Sequence, residues 1–184
     1  AYQGFGDSIE EDAAAVRLFA ESGMTFFVSS SFSKSFSLYG ERVGALSMVT
    51  QSRDESARVL SQVKRVIRTN YSNPPTHGAM IVSAVLNSPE LRAMWEAELG
   101  EMRSRIREMR LSMVELLASK GAKTDFSFVA AQRGMFSYSG LTAEQVERLR
   151  VEFGVYAIST GRICAAALNR SNIGHVTDAI VQVL

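Results

Sequence analysis

A run of serines, Ser29, Ser30, Ser31, Ser33, Ser35 and Ser37, surrounds a single lysine, Lys34. Arg42 follows, set between Gly40 and Gly44. Hydroxyls and a guanidinium can hold a phosphate through charge-assisted hydrogen bonds. A lysine amine that has lost its proton can attack a carbonyl and form a Schiff base. The set therefore suits any phosphorylated carbonyl compound. Each residue also has an ordinary structural use. A lone loop lysine is usually solvated, and serines are turn and cap formers. Arg68 suits the end of a helix, where its charge meets the dipole. Arg162, after Gly161, fits a turn, and Tyr2 can pack on Phe5. Other reactive types carry less. His77 and His175 are far apart and lack clustered carboxylates or cysteines, so no metal site is expected. Cys164 lies in an apolar run and reads as buried packing. Gly4-Phe5-Gly6 is too short to be a dinucleotide loop.

These residues need elements to position them. Residues 25–31 have the β-branched and aromatic bias of a strand. Residues 43–50 form a second strand, apolar enough to be covered on both faces. A helix over residues 10–22, capped by Asp7 or Ser8 and stopped by Gly23, precedes them. This βαβ-like alternation predicts an α/β first half. Ser52 or Asp54 caps a helix to about residue 68, and Asn73-Pro74-Pro75 breaks it. An apolar helix resumes over residues 76–86.

Ser88-Pro89-Glu90 then starts the longest helix, which Gly121 stops. Its stripe runs through Leu91, Trp95, Leu99, Met102, Ile106, Met109, Met113 and Leu116. The opposite face carries Arg103, Arg105, Arg107 and Arg110 with Glu98, Glu101 and Glu108, a pattern that predicts pairing along the helix. A domain boundary is expected near the first third of this helix. Beyond it, strands over residues 126–131, 135–138, 155–159 and 163–167 alternate with helices over 142–153 and from Ser171 or Asn172 to the end. That order predicts a small α+β domain.

With 184 residues, 46% of them hydrophobic, the chain can bury a sizeable core. A net charge of +1 argues against a nucleic-acid partner. One cysteine leaves no intramolecular disulfide framework and fits the cytoplasm. No apolar run reaches the length of a membrane span, so no membrane partner is expected. No basic segment followed by an apolar one marks a signal peptide.

Ser31-Phe32-Ser33-Lys34 with Gly40-Glu41-Arg42-Val43-Gly44 closely resembles the fold type I, pyridoxal-phosphate-dependent aminotransferases of the aspartate and aromatic amino-acid group. Ala1-Tyr2-Gln3-Gly4-Phe5, Arg68 with Tyr71-Ser72-Asn73-Pro74-Pro75, Gly134-Met135-Phe136-Ser137 and Gly161-Arg162 keep the family's order. The resemblance implies an α/β fold: residues 1–100 as the C-terminal part of a large cofactor domain with a mainly parallel sheet, and residues 101–184 as a small α+β domain. A long helix over about residues 89–120 would bridge the two.

The resemblance also implies site roles. Lys34 resembles the Schiff-base lysine that also moves the proton. Tyr2 resembles the phenol on the cofactor's ring oxygen. Ser31 and Arg42 resemble the phosphate-binding pair. Arg162 resembles the guanidinium that grips the substrate α-carboxylate, and Phe136 a pocket aromatic beside it. Arg68 resembles the arginine that crosses a homodimer interface to a distal carboxylate, in an active site the two protomers share.

Implied substrates are an aromatic or dicarboxylic L-amino acid and a 2-oxo acid such as 2-oxoglutarate. Phe36 to Arg42 and Arg133 to Tyr138 look more like the bacterial aromatic (tyrosine) enzymes than the narrow aspartate enzymes. The family's aspartate on the pyridine nitrogen would lie just before residue 1. The chain is thus expected to be the C-terminal half of an enzyme roughly twice its length, lacking its N-terminal half and not competent alone. The other expectations weighed are an aspartate aminotransferase, a non-catalytic dimerisation module, and a nucleic-acid binder using the long helix's arginines.

Overall fold

The computed structural model describes residues 1–184. The chain divides into two compact units: Ala1–Gly4 with Ser8–Leu99, and Phe5–Asp7 with Gly100–Leu184. No helix is long and apolar enough to cross a membrane.

In the first unit, a 3-10 turn at Glu11–Ala13 leads into α1, Ala14–Glu21. Gly23, at φ +72°, turns the chain into β1, Phe26–Ser31. β2, Gly44–Val49, returns beside it in antiparallel register, from Phe26 opposite Val49 to Ser31 opposite Gly44. A parallel sheet was expected. The connection between these strands is a loop without a helix, so the chain doubles back on itself and pairs antiparallel. β2 was also expected to be covered on both faces, yet Gly44, Ala45, Leu46 and Ser47 are exposed because no element of this chain lies over them.

α2, Arg53–Tyr71, begins where the Ser52 hydroxyl accepts the Glu55 N–H at 3.1 Å. It ends where Ser72 takes φ +72°, just before Pro74-Pro75. α3, His77–Asn87, follows, and then α4, Pro89–Ser119. A Cβ at Gly78 would lie 2.9 Å from Val43 Cβ, so α3 comes close against the end of the Lys34 loop.

The second unit holds the chain's main core. Met109, Met113 and Leu117 of α4 meet Phe126, Val129, Leu141, Val146, Leu149, Leu168, Ile173, Ala179, Ile180 and Val183. Leu117 is fully buried where the sequence pattern pointed to Leu116, since Met109, Met113 and Leu117 recur every four residues along one face.

The expected strand over residues 126–131 is instead a helical turn, α5, Ser127–Ala130. Asp125 accepts the Ser127 N–H and hydroxyl, both at 2.8 Å, and so caps a helix start. β3, Phe136–Tyr138, pairs antiparallel with β4, Arg162–Cys164. α6, Ala143–Phe153, opens on a capping box between Thr142 and Gln145 and stops at Gly154. No strand forms over residues 155–159. The Val155 N–H closes the end of α6 onto the Leu149 carbonyl, and Ile158 takes part in the turn at Gly161. β4 gives way to a 3-10 turn at Ala165–Ala167, and α7, Ile173–Val183, closes the chain.

Cys164 is exposed, against the expectation of burial. Ile163 packs on the core, so strand alternation sends its neighbours Arg162 and Cys164 to the other face. The α4 arginines do not simply pair along the helix. Arg105 donates to the carbonyls of Leu168 at 2.9 Å and Ala166 at 2.8 Å, and Arg110 is buried.

Candidate active site

β1 leads into the Lys34 loop. The Phe32 N–H still reaches the Val43 carbonyl at 3.3 Å, and the chain then leaves the ribbon. Phe36 N–H bonds to Phe32 O and Ser37 N–H to Lys34 O, both at 3.2 Å, which curls the backbone around Lys34. Aromatic packing fixes the curl. Phe36 stacks on Trp95 of α4 at 4.5 Å, and Phe32 meets the Phe36 ring edge-on at 5.5 Å. The Trp95 indole N–H donates to the Ser35 carbonyl at 2.6 Å, and Ser35 is buried. Lys34 itself is half-buried, with Nζ 4.0 Å from the centre of the Tyr39 ring.

Two non-glycine residues of this loop take left-handed backbone angles, Ser37 at φ +56° and Arg42 at φ +51°. Side chains disfavour that region, and such strain gathers at sites where the chain must present a group in one direction. Arg42 is exposed, and its guanidinium donates back to the Tyr39 carbonyl at 3.1 Å. The Ser31 hydroxyl accepts the Ser33 N–H at 3.3 Å. Glu41, next to Arg42, bonds His77 Nδ1 at 2.7 Å and so ties the loop's end to the start of α3. Tyr2 is partly exposed ahead of a tight turn. There Gly4 takes φ +93°, its N–H bonds the Asp12 carboxylate at 2.7 Å, and a Cβ would strike Leu99. Arg68, in the last turn of α2, is exposed and donates to the Ser72 hydroxyl.

In the second unit, Tyr138 stands opposite Arg162 in the ribbon, and Phe136 is its diagonal neighbour on the same face. The Arg162 guanidinium lies 4.8 Å from the centre of the Phe136 ring, with its charge exposed. Gly161 sets this geometry. It takes φ +80°, a Cβ would sit 2.7 Å from Leu141 O, and its carbonyl receives both the N–H and the hydroxyl of Ser139. Of the residues singled out in sequence, Lys34 and Arg42 share one loop with Ser31 at its base, and Phe136 and Arg162 share one ribbon. Trp95 was missed as the anchor of the Lys34 loop. Its signal was an indole N–H that needs an acceptor wherever the ring is packed.

The family model for aminotransferase class I and II matches residues 1–180. The chain belongs to that family. It is 82% identical over 184 residues to the aspartate aminotransferase of Pseudomonas aeruginosa, and 52% identical to the aromatic-amino-acid aminotransferase of Escherichia coli. In each case it spans all of its own length and 46% of the relative's. Among solved structures, an aromatic-amino-acid aminotransferase from Burkholderia pseudomallei, covalently bound to pyridoxal phosphate, superposes with a TM-score of 0.97 at 72% identity. That match covers 100% of this chain and 46% of the solved one.

Proposed function

We propose that this chain contributes the reactive lysine, the phosphate clamp and the substrate-carboxylate grip of an aminotransferase site. The reaction moves an amino group between an aromatic or dicarboxylic L-amino acid and a 2-oxo acid. The observation that carries the reading is the Lys34 loop. A half-buried amine, a hydroxyl at the loop's base and a guanidinium on a left-handed backbone stand on one loop, which an aromatic stack anchors at Phe36.

This donor set fits pyridoxal phosphate: an amine for the aldehyde, and a hydroxyl and a guanidinium for the phosphate. When bound, the cofactor supplies the electron sink that stabilises negative charge at the substrate α-carbon. Lys34 Nζ would hold the cofactor at its aldehyde carbon and would carry the proton of the substrate α-carbon. Arg42 and the Ser31 hydroxyl would hold the phosphate, and the Tyr2 phenol would donate to the ring oxygen. Arg162 would take the α-carboxylate bidentately, with Phe136 as a wall beneath it. Arg68, exposed at the end of α2, would reach a distal carboxylate in a neighbouring protomer, so the working form would be a homodimer.

The relatives' names cover both substrate classes: the Escherichia coli aspartate and aromatic-amino-acid aminotransferases are each 52% identical to this chain, while the Pseudomonas aeruginosa pair stand at 82% and 48%. Both amino-acid classes are therefore proposed as substrates.

The test is transamination of 2-oxoglutarate with L-aspartate and L-tyrosine by the polypeptide that carries this chain. Lys34→Ala should abolish turnover with both donors. Arg162→Ala should raise KM for both, because the α-carboxylate is common to them. Activity retained in Lys34→Ala would contradict the assignment.

A further inference from the structure

A cavity of about 200 Å³ opens within the second unit, and neither Arg162 nor Phe136 lines it. Arg103, Arg107, Arg110 and Arg133 line it, together with Phe5 and a single carboxylate, Asp7. That carboxylate is already bonded to Arg133. Arg110 is the unusual member. It is 4% exposed, and it donates from Nε to the Ser137 hydroxyl at 3.0 Å and from Nη2 to the Gly134 carbonyl.

Both of those acceptors are neutral, and no carboxylate of this chain pairs with Arg110. Burial alone pushes its guanidinium pKa below the usual arginine value. A buried cation held only by neutral acceptors is incompletely compensated. Here it borders an open cavity whose other walls add further guanidinium groups. Such a site favours an acidic occupant with more than one oxygen, since guanidinium binds carboxylate in a planar, two-point fashion.

We propose that this cavity is a carboxylate-binding site, with Arg110 as its buried anchor and Arg107 at its wall. The occupant is either a small free dicarboxylate or a carboxylate side chain from polypeptide outside these 184 residues. The second source is possible because the chain spans 46% of its relatives' length. Arg110 is placed for the task by two backbone choices. Residues 106, 110, 113 and 117 share one face of α4, so its stem lies among the core side chains. Gly134, at φ +81°, aims its carbonyl so that the far nitrogen of the guanidinium is held.

The probe is succinate, followed through the arginine Nε–H signals of the 184-residue chain by nitrogen-resolved NMR. The Arg110 and Arg107 signals should shift saturably with succinate and not with chloride at matched ionic strength. Arg107→Gln should weaken binding by roughly tenfold or more, and so should Arg110→Gln where that variant folds. Arg162→Ala should leave the response intact, which separates this site from the proposed substrate grip.

Repeating the titration on polypeptide of the relatives' length distinguishes the two sources. A retained succinate response assigns a free ligand. A lost response, with Arg110 Nε–H already at its shifted position, assigns a carboxylate of the protein itself. The proposal is overturned by no shift beyond that of chloride, by a response that survives Arg107→Gln, or by one that vanishes in Arg162→Ala.

Discussion

In the unit that carries Arg162, Leu117, Val129 and Ala179 are wholly excluded from water, and the helices and ribbon close around them. In the unit that carries Lys34, Val82 and Leu99 are the buried apolar side chains, while Phe27 and Leu46 on the two strands are 61% and 59% exposed. The same chain thus holds its two candidate site groups in two ways. Arg162 stands on a short ribbon backed by a complete core, with Ile163 packed beneath it. Lys34 stands on a loop pinned by three aromatic rings and one indole hydrogen bond, beside a two-stranded ribbon whose faces are open. Isolated ribbons of this size are marginal in water. The order of the Lys34 loop therefore rests on few contacts, whereas the order of Arg162 rests on many.

The sharpest way to break this contrast is to cut equal volumes from both units. Leu117→Ala or Leu149→Ala should cost about 2–5 kcal/mol in urea unfolding. Leu46→Ala, on the open ribbon, should stay within about 0.5 kcal/mol. Similar losses at the two sites would mean that the first unit has a core after all. Glycine substitutions give the next largest effect. Gly161→Ala must both accept φ +80° and push on Leu141 O, and should cost about 1–3 kcal/mol. Gly23→Ala meets open space at φ +72°, so only the backbone term remains, about 1 kcal/mol. Thermal unfolding of the two variants, side by side, checks the ordering.

Trp95→Phe keeps the stack on Phe36 and deletes the bond to Ser35 O. It should cost about 1 kcal/mol and speed amide exchange in residues 33–37 without touching residues 136–138. Exchange that rises equally in both segments would remove the distinction drawn here. The smallest effect concerns pH. Hydrogen bonds from the Ser127 backbone and hydroxyl hold the Asp125 carboxyl below its ordinary range. A group depressed in the folded state stabilises above its unfolded pKa, and that contribution fades as pH falls through the folded value. Asp125→Ala should therefore lower Tm slightly at neutral pH, and the difference should shrink as pH falls below the ordinary aspartate pKa. A gap that widens in acid would reverse the assignment.

Local chemistry was legible in the sequence, and long-range pairing was not. The Thr142–Gln145 capping box, the Ser52 cap, the Pro74-Pro75 break and the Gly154 stop all depend on neighbours within a few residues. The direction of the β1–β2 pairing depends on how the chain closes over the Lys34 loop, which no periodicity records. Residues 126–131 read as a strand because the β propensity of Phe126 and Val129 outweighs, in sequence, the helix cap that Asp125 supplies. Arg110 was placed on the solvated face by its charge, although it lies four residues from Ile106 on the buried stripe. Among the site residues, Lys34, Ser31 and Arg42 could be grouped from spacing alone, since they share one loop. Phe136 and Arg162 could not, because a strand register brings them together.

The most direct test of the account is to trap the cofactor on the lysine. The 184-residue chain would be mixed with pyridoxal phosphate, reduced with borohydride, digested and mapped by mass. The chain should turn yellow before reduction. The cofactor's mass should then appear on the peptide containing Lys34, and Lys34→Ala should abolish both signals. A label spread evenly over Lys64, Lys120 and Lys123, or one unchanged by Lys34→Ala, would contradict it.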